Sequence, residues 1–373
     1  MQQLKGKLRL SVERQLALDP AEQNAFVRST LTVASWVFEA VTSRKRHWQL
    51  TRQRALPVRT ISFGNVTWGG TGKTPCLHHV ARLLDAKGCQ LMLVSRGYGD
   101  DEWKMFASEF PTGLFAIGKH RYENAIACLV PGQNERTVAL VDDGLQQWGL
   151  KKDMEIVMID AYNPFGNGHL IPKGRLREYP ERALPAADIV VLHHAGHLSI
   201  AAQTKLQAAI QTMTRKDVLF AMTKVRLVDL PQAKDVAASM KLRKHSRGIP
   251  YHAPESRELI IVGICGIGCP ASFESMLREN FPLASVQVHA FPDHHAYVEQ
   301  DLRSYRQSVA ALRQQDANVL VVTTEKDYFR SSDVLEAHLP DLRVALCEME
   351  FLQDSDRALA ARIDQLLENP IVR

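Results

Sequence analysis

The sequence predicts an α/β protein: a P-loop NTPase-type parallel sheet with helices on both faces, followed by a second, smaller α/β unit. Three observations predict it. Short apolar runs alternate with helix-like segments from Val58 onward. The first run leads into a glycine-rich stretch ending Gly72-Lys73-Thr74, and a later one ends in Asp142-Asp143-Gly144. Strands that are apolar throughout belong to a sheet covered on both faces, and such sheets bind ligands at the carboxyl ends of their strands.

Taken in order, strand-like runs fall at 58–63, 90–94, 137–141, 155–159 and 188–192, with helix-like runs at 75–86, 120–129 and 199–214. A second set begins near Leu219, with strand-like runs at 258–262, 285–290, 319–323 and 342–346 and helices at 271–279, 299–314 and 355–367. The polar stretch 229–257 reads as a connection or exposed insertion. The expected division is an N-terminal membrane-associating region (1–57), a phosphate-loop domain (58–218) and a C-terminal α/β domain (219–373).

The phosphate loop carries the first chemical signal. Residues 67–74 read Thr67-Trp68-Gly69-Gly70-Thr71-Gly72-Lys73-Thr74. The Walker A form is G-x-x-x-x-G-K-[ST], and Thr67 stands where its first glycine belongs. Gly69 and Gly70 still let the backbone turn and aim N–H groups at phosphate oxygens. Lys73 is expected to reach the terminal phosphates and Thr74 to place its hydroxyl on Mg2+. Pro75 suits the first turn of a helix whose N-terminus favours an anion. A nucleotide site of this kind needs an acid at a second strand end, and Asp142-Asp143 supplies it, although Asp-Gly is also a common turn pair. Guanine-reading motifs are absent in the right order, so ATP is the expected nucleotide.

Composition is that of an ordinary globular chain, with 373 residues, 45% hydrophobic and 23% charged. The six cysteines form no C-x-x-C pair and read as reduced thiols; Cys265 and Cys269 are read as packing residues rather than half a metal site. The net charge of +5 has a location: Arg44, Lys45, Arg46, His47, Arg52, Arg54 and Arg59 occur with no acid among them. The apolar stretch 31–41 just before them is about half the length of a bilayer span. Together they read as a helix on an anionic membrane surface, or else as a core-packed helix followed by a solvated basic linker. A membrane surface, and no nucleic acid, is the expected partner. No secretory signal is visible, and Asp19 and Glu22 argue against a mitochondrial presequence.

Several blocks together resemble the tetraacyldisaccharide 4'-kinase family of lipid A biosynthesis. They are Gly64 through Pro75; Ser95-Arg96-Gly97-Tyr98-Gly99 with Asp101-Glu102; Asp142 through Gln146; Gly166-Asn167-Gly168 with Leu176-Arg177-Glu178; Phe291-Pro292-Asp293-His294; and Thr323-Thr324-Glu325-Lys326-Asp327. The family shares the Thr67 departure. Gln147 and Arg175 stand where the family usually has His and Pro. The short spacing from Tyr98 to Asp101, and Trp68, are similar to plant-type members.

The resemblance implies ATP-dependent phosphorylation of the 4'-hydroxyl of an acylated disaccharide 1-phosphate lipid, with two α/β domains joined by a β-strand hinge. It implies Asp101 as the base that takes the hydroxyl proton, supported by His294 oriented by Asp293. Thr74, Asp143 and Glu178 are expected to serve Mg2+. Tyr98, Glu102, Arg121, Asp142, Gln146 and Arg177 are expected at substrate or phosphate, though each arginine could instead be a salt-bridge partner. His78-His79 and His193-His194 read as structural. The implied location is membrane-associated, on a mitochondrial membrane in a eukaryote or the cytoplasmic face of the inner membrane in a bacterium. The rival reading is a membrane-associated P-loop regulatory ATPase, which needs no acceptor base.

Overall fold

The computed structural model describes residues 25–97, 101–132, 134–214, 216–229, 259–268, 270–314 and 318–370, without the side chains of Asp101, Val225, Arg226, Val228 and Asp229. The segment expected as a polar connection, the extreme N-terminus, Tyr98 and Cys269 lie outside the described residues. Among the described residues the strands of the main sheet are β1 (Arg59–Asn65), β2 (Gln90–Ser95), β3 (Leu114–Ile117), β4 (Thr137–Asp142), β5 (Met154–Asp160), β6 (Ile189–His193), β7 (Asp217–Asp229), β8 (Leu259–Cys265), β9 (Ser285–Ala290), β10 (Asn318–Thr324) and β11 (Leu342–Phe351). The helices are α1 (Ala25–Leu50), α2 (Lys73–Ala86), α3 (Asp101–Glu109), α4 (Arg121–Cys128), α5 (Pro180–Ala183), α6 (Ile200–Thr214), α7 (Pro270–Asn280), α8 (Glu299–Gln314), α9 (Glu325–His338) and α10 (Ser355–Glu368).

One sheet runs β9-β8-β10-β11-β7-β6-β5-β1-β4-β2-β3. Every pairing in it is parallel except β7 with β11. The apolar runs read as strands from the sequence are strands, because β4 and β6 are buried along their whole length between helical layers. On one face Phe63, Val80, Leu84, Phe106, Leu140 and Leu359 pack together. On the other, Val157, Leu184, Val190, Leu192 and Ile210 do.

The two halves of the sheet meet through β7, and the expected boundary at 218/219 falls inside that strand. Asp217–Phe220 pair in parallel with β6, whereas Ala221–Asp229 pair antiparallel with β11. These last residues overshoot the end of β6 by roughly 30 Å of extended chain. The antiparallel step reverses the strand direction of the second half. Its carboxyl ends therefore point back toward the carboxyl ends of the first half, and one cleft collects both sets. A seam of Met105, Tyr328, Phe329, Val344 and Leu346 joins α3 to α9 and β11 beside it.

Helix α1 lies on the 170–182 segment. Leu31 and Ser35 are buried there, and the Ser35 hydroxyl donates to the Leu170 carbonyl. Its outer side exposes Phe26, Val33, Trp36, Val37, Val41 and Trp48. No helix among the described residues is long and apolar enough to cross a membrane. The basic cluster, which begins within the last turns of α1, is not one open patch. Arg46 pairs with Glu178, Arg54 with Glu123, and Arg59 donates to the carbonyls of Leu366, Leu367 and Asn369, where a cation suits the C-terminus of α10.

Candidate active site

The phosphate loop leaves β1 at Asn65, whose buried side chain donates to the Thr71 hydroxyl at 3.0 Å. Thr67 is buried in an antiparallel bridge with Leu176. The Trp68 amide donates to the Arg175 carbonyl (2.7 Å) and the Arg177 amide to the Val66 carbonyl (2.8 Å), which ties the loop to the 175–177 segment. Trp68 itself projects outward, 54% exposed. Gly72 stands at φ 82 as the cap of α2, and a Cβ there would lie 2.8 Å from the His193 ring. That combination admits only glycine. Gly69 has φ 130, also in glycine territory. Among the described residues no backbone carbonyl accepts from the amides of Gly69 to Gly72, the arrangement that suits an anion.

Lys73 and Thr74 open α2. Lys73 Nζ stands 3.5 Å from Asp143 Oδ1, and Arg177 Nη1 approaches the same oxygen at 2.6 Å. Burial works to raise the Asp143 carboxyl, but Lys73 and Arg177 outweigh it and hold it below the usual carboxylate range. Burial pushes Lys73 down, partly offset by Asp143. Asp143 sits at φ 49, braced by Arg121, whose Nη1 donates to the carbonyls of Asp142 (2.7 Å) and Asp143 (3.1 Å). Arg121 is thus bound into the strand end through main-chain carbonyls. Gln146 donates to the Asn65 carbonyl and receives a long contact from Arg177 (3.4 Å).

Beneath Thr74 lies a cavity of about 10 Å³ lined by Thr74, His78, Ser95, Glu102 and Asp142. It has room for roughly one water. Asp142 and Glu102 share a hydrogen bond there. Burial and the neighbouring Glu102 charge push Asp142 up to about 8. Burial also disfavours Glu102 as an anion, but Lys326 prevails, its Nζ 2.9 Å from Glu102 Oε1. The two carboxyls titrate as a pair, with Asp142 shifted up and Glu102 shifted down.

The far wall comes from the second half. Asp327 is fully buried; it accepts from the Gly266 amide (3.1 Å to each oxygen), the Thr324 hydroxyl (2.6 Å) and Arg330 Nη1 (2.8 Å). Thr324 also caps α9 by accepting from the Asp327 amide. Arg330 reaches on to the Gly266 carbonyl, and Gly266 in turn accepts from the His294 amide at 3.0 Å. This network holds the loop that presents His294 at φ 60.

The chain matches the family model of tetraacyldisaccharide-1-P 4'-kinase, LpxK, over residues 27–368. It belongs to that family. The probable mitochondrial tetraacyldisaccharide 4'-kinase of Arabidopsis thaliana is 30% identical over 338 residues, covering 82% of each chain. The tetraacyldisaccharide 4'-kinase of Syntrophus aciditrophicus is 34% identical over 327 residues, covering 78% of this chain and 80% of the relative. The fold is similar to that of the Aquifex aeolicus LpxK crystallised with ATP, with a TM-score of 0.63 and 19% identity over 91% of this chain and 99% of that one.

Against the residues that the LpxK resemblance implies, the structure brings together Lys73, Thr74, Glu102, Asp142, Asp143, Gln146 and Arg177. Two departures stand out. Glu178 was expected on the metal; its carboxylate instead pairs with Arg46 of α1 at 3.0 Å, and burial followed by Arg46 and Arg182 sets its acidity. Asp293 was expected to orient His294, but its Oδ1 is 3.9 Å from His294 Nε2, beyond hydrogen-bond range. Backbone geometry holds His294 instead, and the hydrogen-bonded histidine is His295, to Asp301 at 2.8 Å. The backbone of Asp101 opens α3 beside Glu102, while its side chain lies outside the described residues. The departures at Gln147 and Arg175 are absorbed by main-chain bonds: the Gln147 amide donates to Gly144 and the Arg175 carbonyl accepts from Trp68.

Sequence reasoning assigned no role to Arg330, and none to Lys326 or Asp327 beyond their place in a motif. Only the reversal of strand direction at β7 shows why that motif faces the phosphate loop. His78 is buried against Glu109 (2.6 Å), and His193 bonds Thr223 (2.5 Å), consistent with structural placement.

Proposed function

We propose that this chain transfers the γ-phosphate of ATP to the 4'-hydroxyl of an acylated disaccharide 1-phosphate lipid. The observation that carries the reading is the family match across residues 27–368, joined to a phosphate loop whose Lys73 faces the Asp143 carboxylate. In this reading the loop amides and Lys73 hold the triphosphate, and Arg177 keeps Asp143 ionised and fixed. Asp101, at the start of α3, takes the proton of the attacking hydroxyl, and His294 closes on it from the second half.

The donor set fits Mg2+, which keeps several waters and takes one or two protein oxygens beside phosphate. The Thr74 hydroxyl and Asp143 supply those oxygens. No group of three or more His, Cys, Asp or Glu able to hold a metal occurs among the described residues. The ion would neutralise developing phosphate charge. Glu178, committed to Arg46, is left out of the set. Closure of the two halves about β7 brings the far wall onto the nucleotide. The exposed apolar side of α1 rests at a membrane surface, which presents the acylated acceptor beside the cleft.

Incubation of the protein with Mg-ATP and purified disaccharide 1-phosphate lipid tests the proposal. Wild type transfers phosphate, whereas Lys73→Ala and Asp101→Ala lose roughly 10²–10⁴-fold in turnover. Wild type that binds ATP yet phosphorylates no lipid would sink the kinase reading in favour of a regulatory ATPase.

A further inference from the structure

Lys326 of α9 in the second half forms an ion pair with Glu102 of α3 in the first, and its surroundings determine where it points. Its neighbours in sequence are anchored: Glu325 and Asp327 are both buried. Thr324 caps the helix and Asp327 is held by four polar contacts, so the first turn of α9 is rigid. From that turn Lys326 reaches α3 at Glu102, the residue after the helix start at Asp101. Apolar contacts of Met105 with Tyr328 and Phe329 lie next to the ion pair and fix the separation of the two helices. The ammonium also acts on Lys73 across the cleft, lowering its proton affinity.

We infer that Lys326 is a positioning residue for phosphoryl transfer, holding the first turn of α3 over the phosphate loop from the opposite half of the sheet through its contact with Glu102. The inference rests on the kinase reading above and adds a residue to it. A rigid second half can set this turn only through a contact that spans the cleft, and a displacement of about 1 Å at the reacting groups costs on the order of 10²-fold in rate. Cleft closure and placement of the turn are then one event. The ion pair forms only when the halves are together, so the machinery is incomplete in an open molecule.

Steady-state kinetics of Lys326→Met and Lys326→Arg in the full chain, with ATP and lipid varied separately, test this. The expected result is a fall in kcat of roughly 10- to 100-fold for Lys326→Met, an ATP KM within about threefold of wild type, and substantial recovery in Lys326→Arg. Unchanged kcat in Lys326→Met overturns the inference. So does a rise in ATP KM with kcat preserved, which would make Lys326 a phosphate-binding cation. So does a loss of activity that tracks a loss of folded protein by thermal melting, or one that Lys326→Arg fails to restore. Wild-type turnover is the control: its absence rejects the kinase reading, whereas its presence beside an unaffected Lys326→Met rejects only this inference.

Discussion

Two turns at strand ends face each other across the cleft, and they treat their amides in opposite ways. After β1, the amides of Gly69 to Gly72 have no carbonyl partners among the described residues. After β8, the Gly266 amide is satisfied from within by both oxygens of Asp327. Asp327 occupies the place at its turn that a phosphate would take at the other. The first turn is built to receive an anion and the second already contains one, so the second is a rigid wall against which the first can close.

The largest effect that would break this comparison is at the filled turn. Asp327→Ala removes the carboxylate paired with Arg330, whose side chain is only 6% exposed, and the acceptor of the Gly266 amide. Breaking a buried pair from one side costs about 3–5 kcal/mol. Chemical denaturation is expected to show that loss, and kcat to fall with it as the His294 loop loosens. Retention of full stability would mean that the wall is held by something other than Asp327.

At the open turn the effect is smaller and falls on binding. Gly72→Ala places a Cβ against His193 and keeps an unfavourable φ, which costs about 1–2 kcal/mol from the backbone alone. Calorimetric titration with ATP is expected to show at least roughly tenfold weaker binding with the fold intact. The further change His193→Ala would recover the steric part only. Equal ATP affinity in Gly72→Ala would show that the loop does not need its left-handed turn.

The smallest effect is a pH dependence at the same contact. Burial, then His194 and His197, lower the His193 proton affinity well below the ordinary value of 6.5. The unfolded chain then binds a proton that the folded chain refuses, so stability is full above pH 6.5 and declines as pH falls below it. Unfolding free energies between pH 7 and 5 should fall less steeply in His193→Asn. An unchanged slope would place the acid sensitivity elsewhere.

Much of this was legible along the chain. The run 137–141 is a strand buried along its whole length between helical layers, the run 285–290 is an edge strand with Val286 buried, and the helix after Gly72 begins where glycine and lysine end the loop. Several elements were missed, among them β7 (Asp217–Asp229), where the two halves meet, and the short α5 (Pro180–Ala183). The helix Asp101–Glu109 carries few local signals and is held by Phe106 and Met105 in the core. The strand Leu114–Ile117 is a short edge. The helix Glu325–His338 is interrupted at Ser331, which has non-helical φ and ψ. The pairing of Glu178 with Arg46 was not legible either, because the two lie more than a hundred residues apart.

The sequence alone determined the alternation of strand and helix, the phosphate loop and the acid pair of Asp142 and Asp143, because local periodicity and glycine placement are properties of neighbouring residues. Tertiary structure decided which charges neutralise one another: Lys326 with Glu102, Arg177 with Asp143, Arg46 with Glu178. Such pairings depend on β7 joining one half in parallel and the other antiparallel, and on distances through a low-dielectric interior that no spacing along the chain encodes.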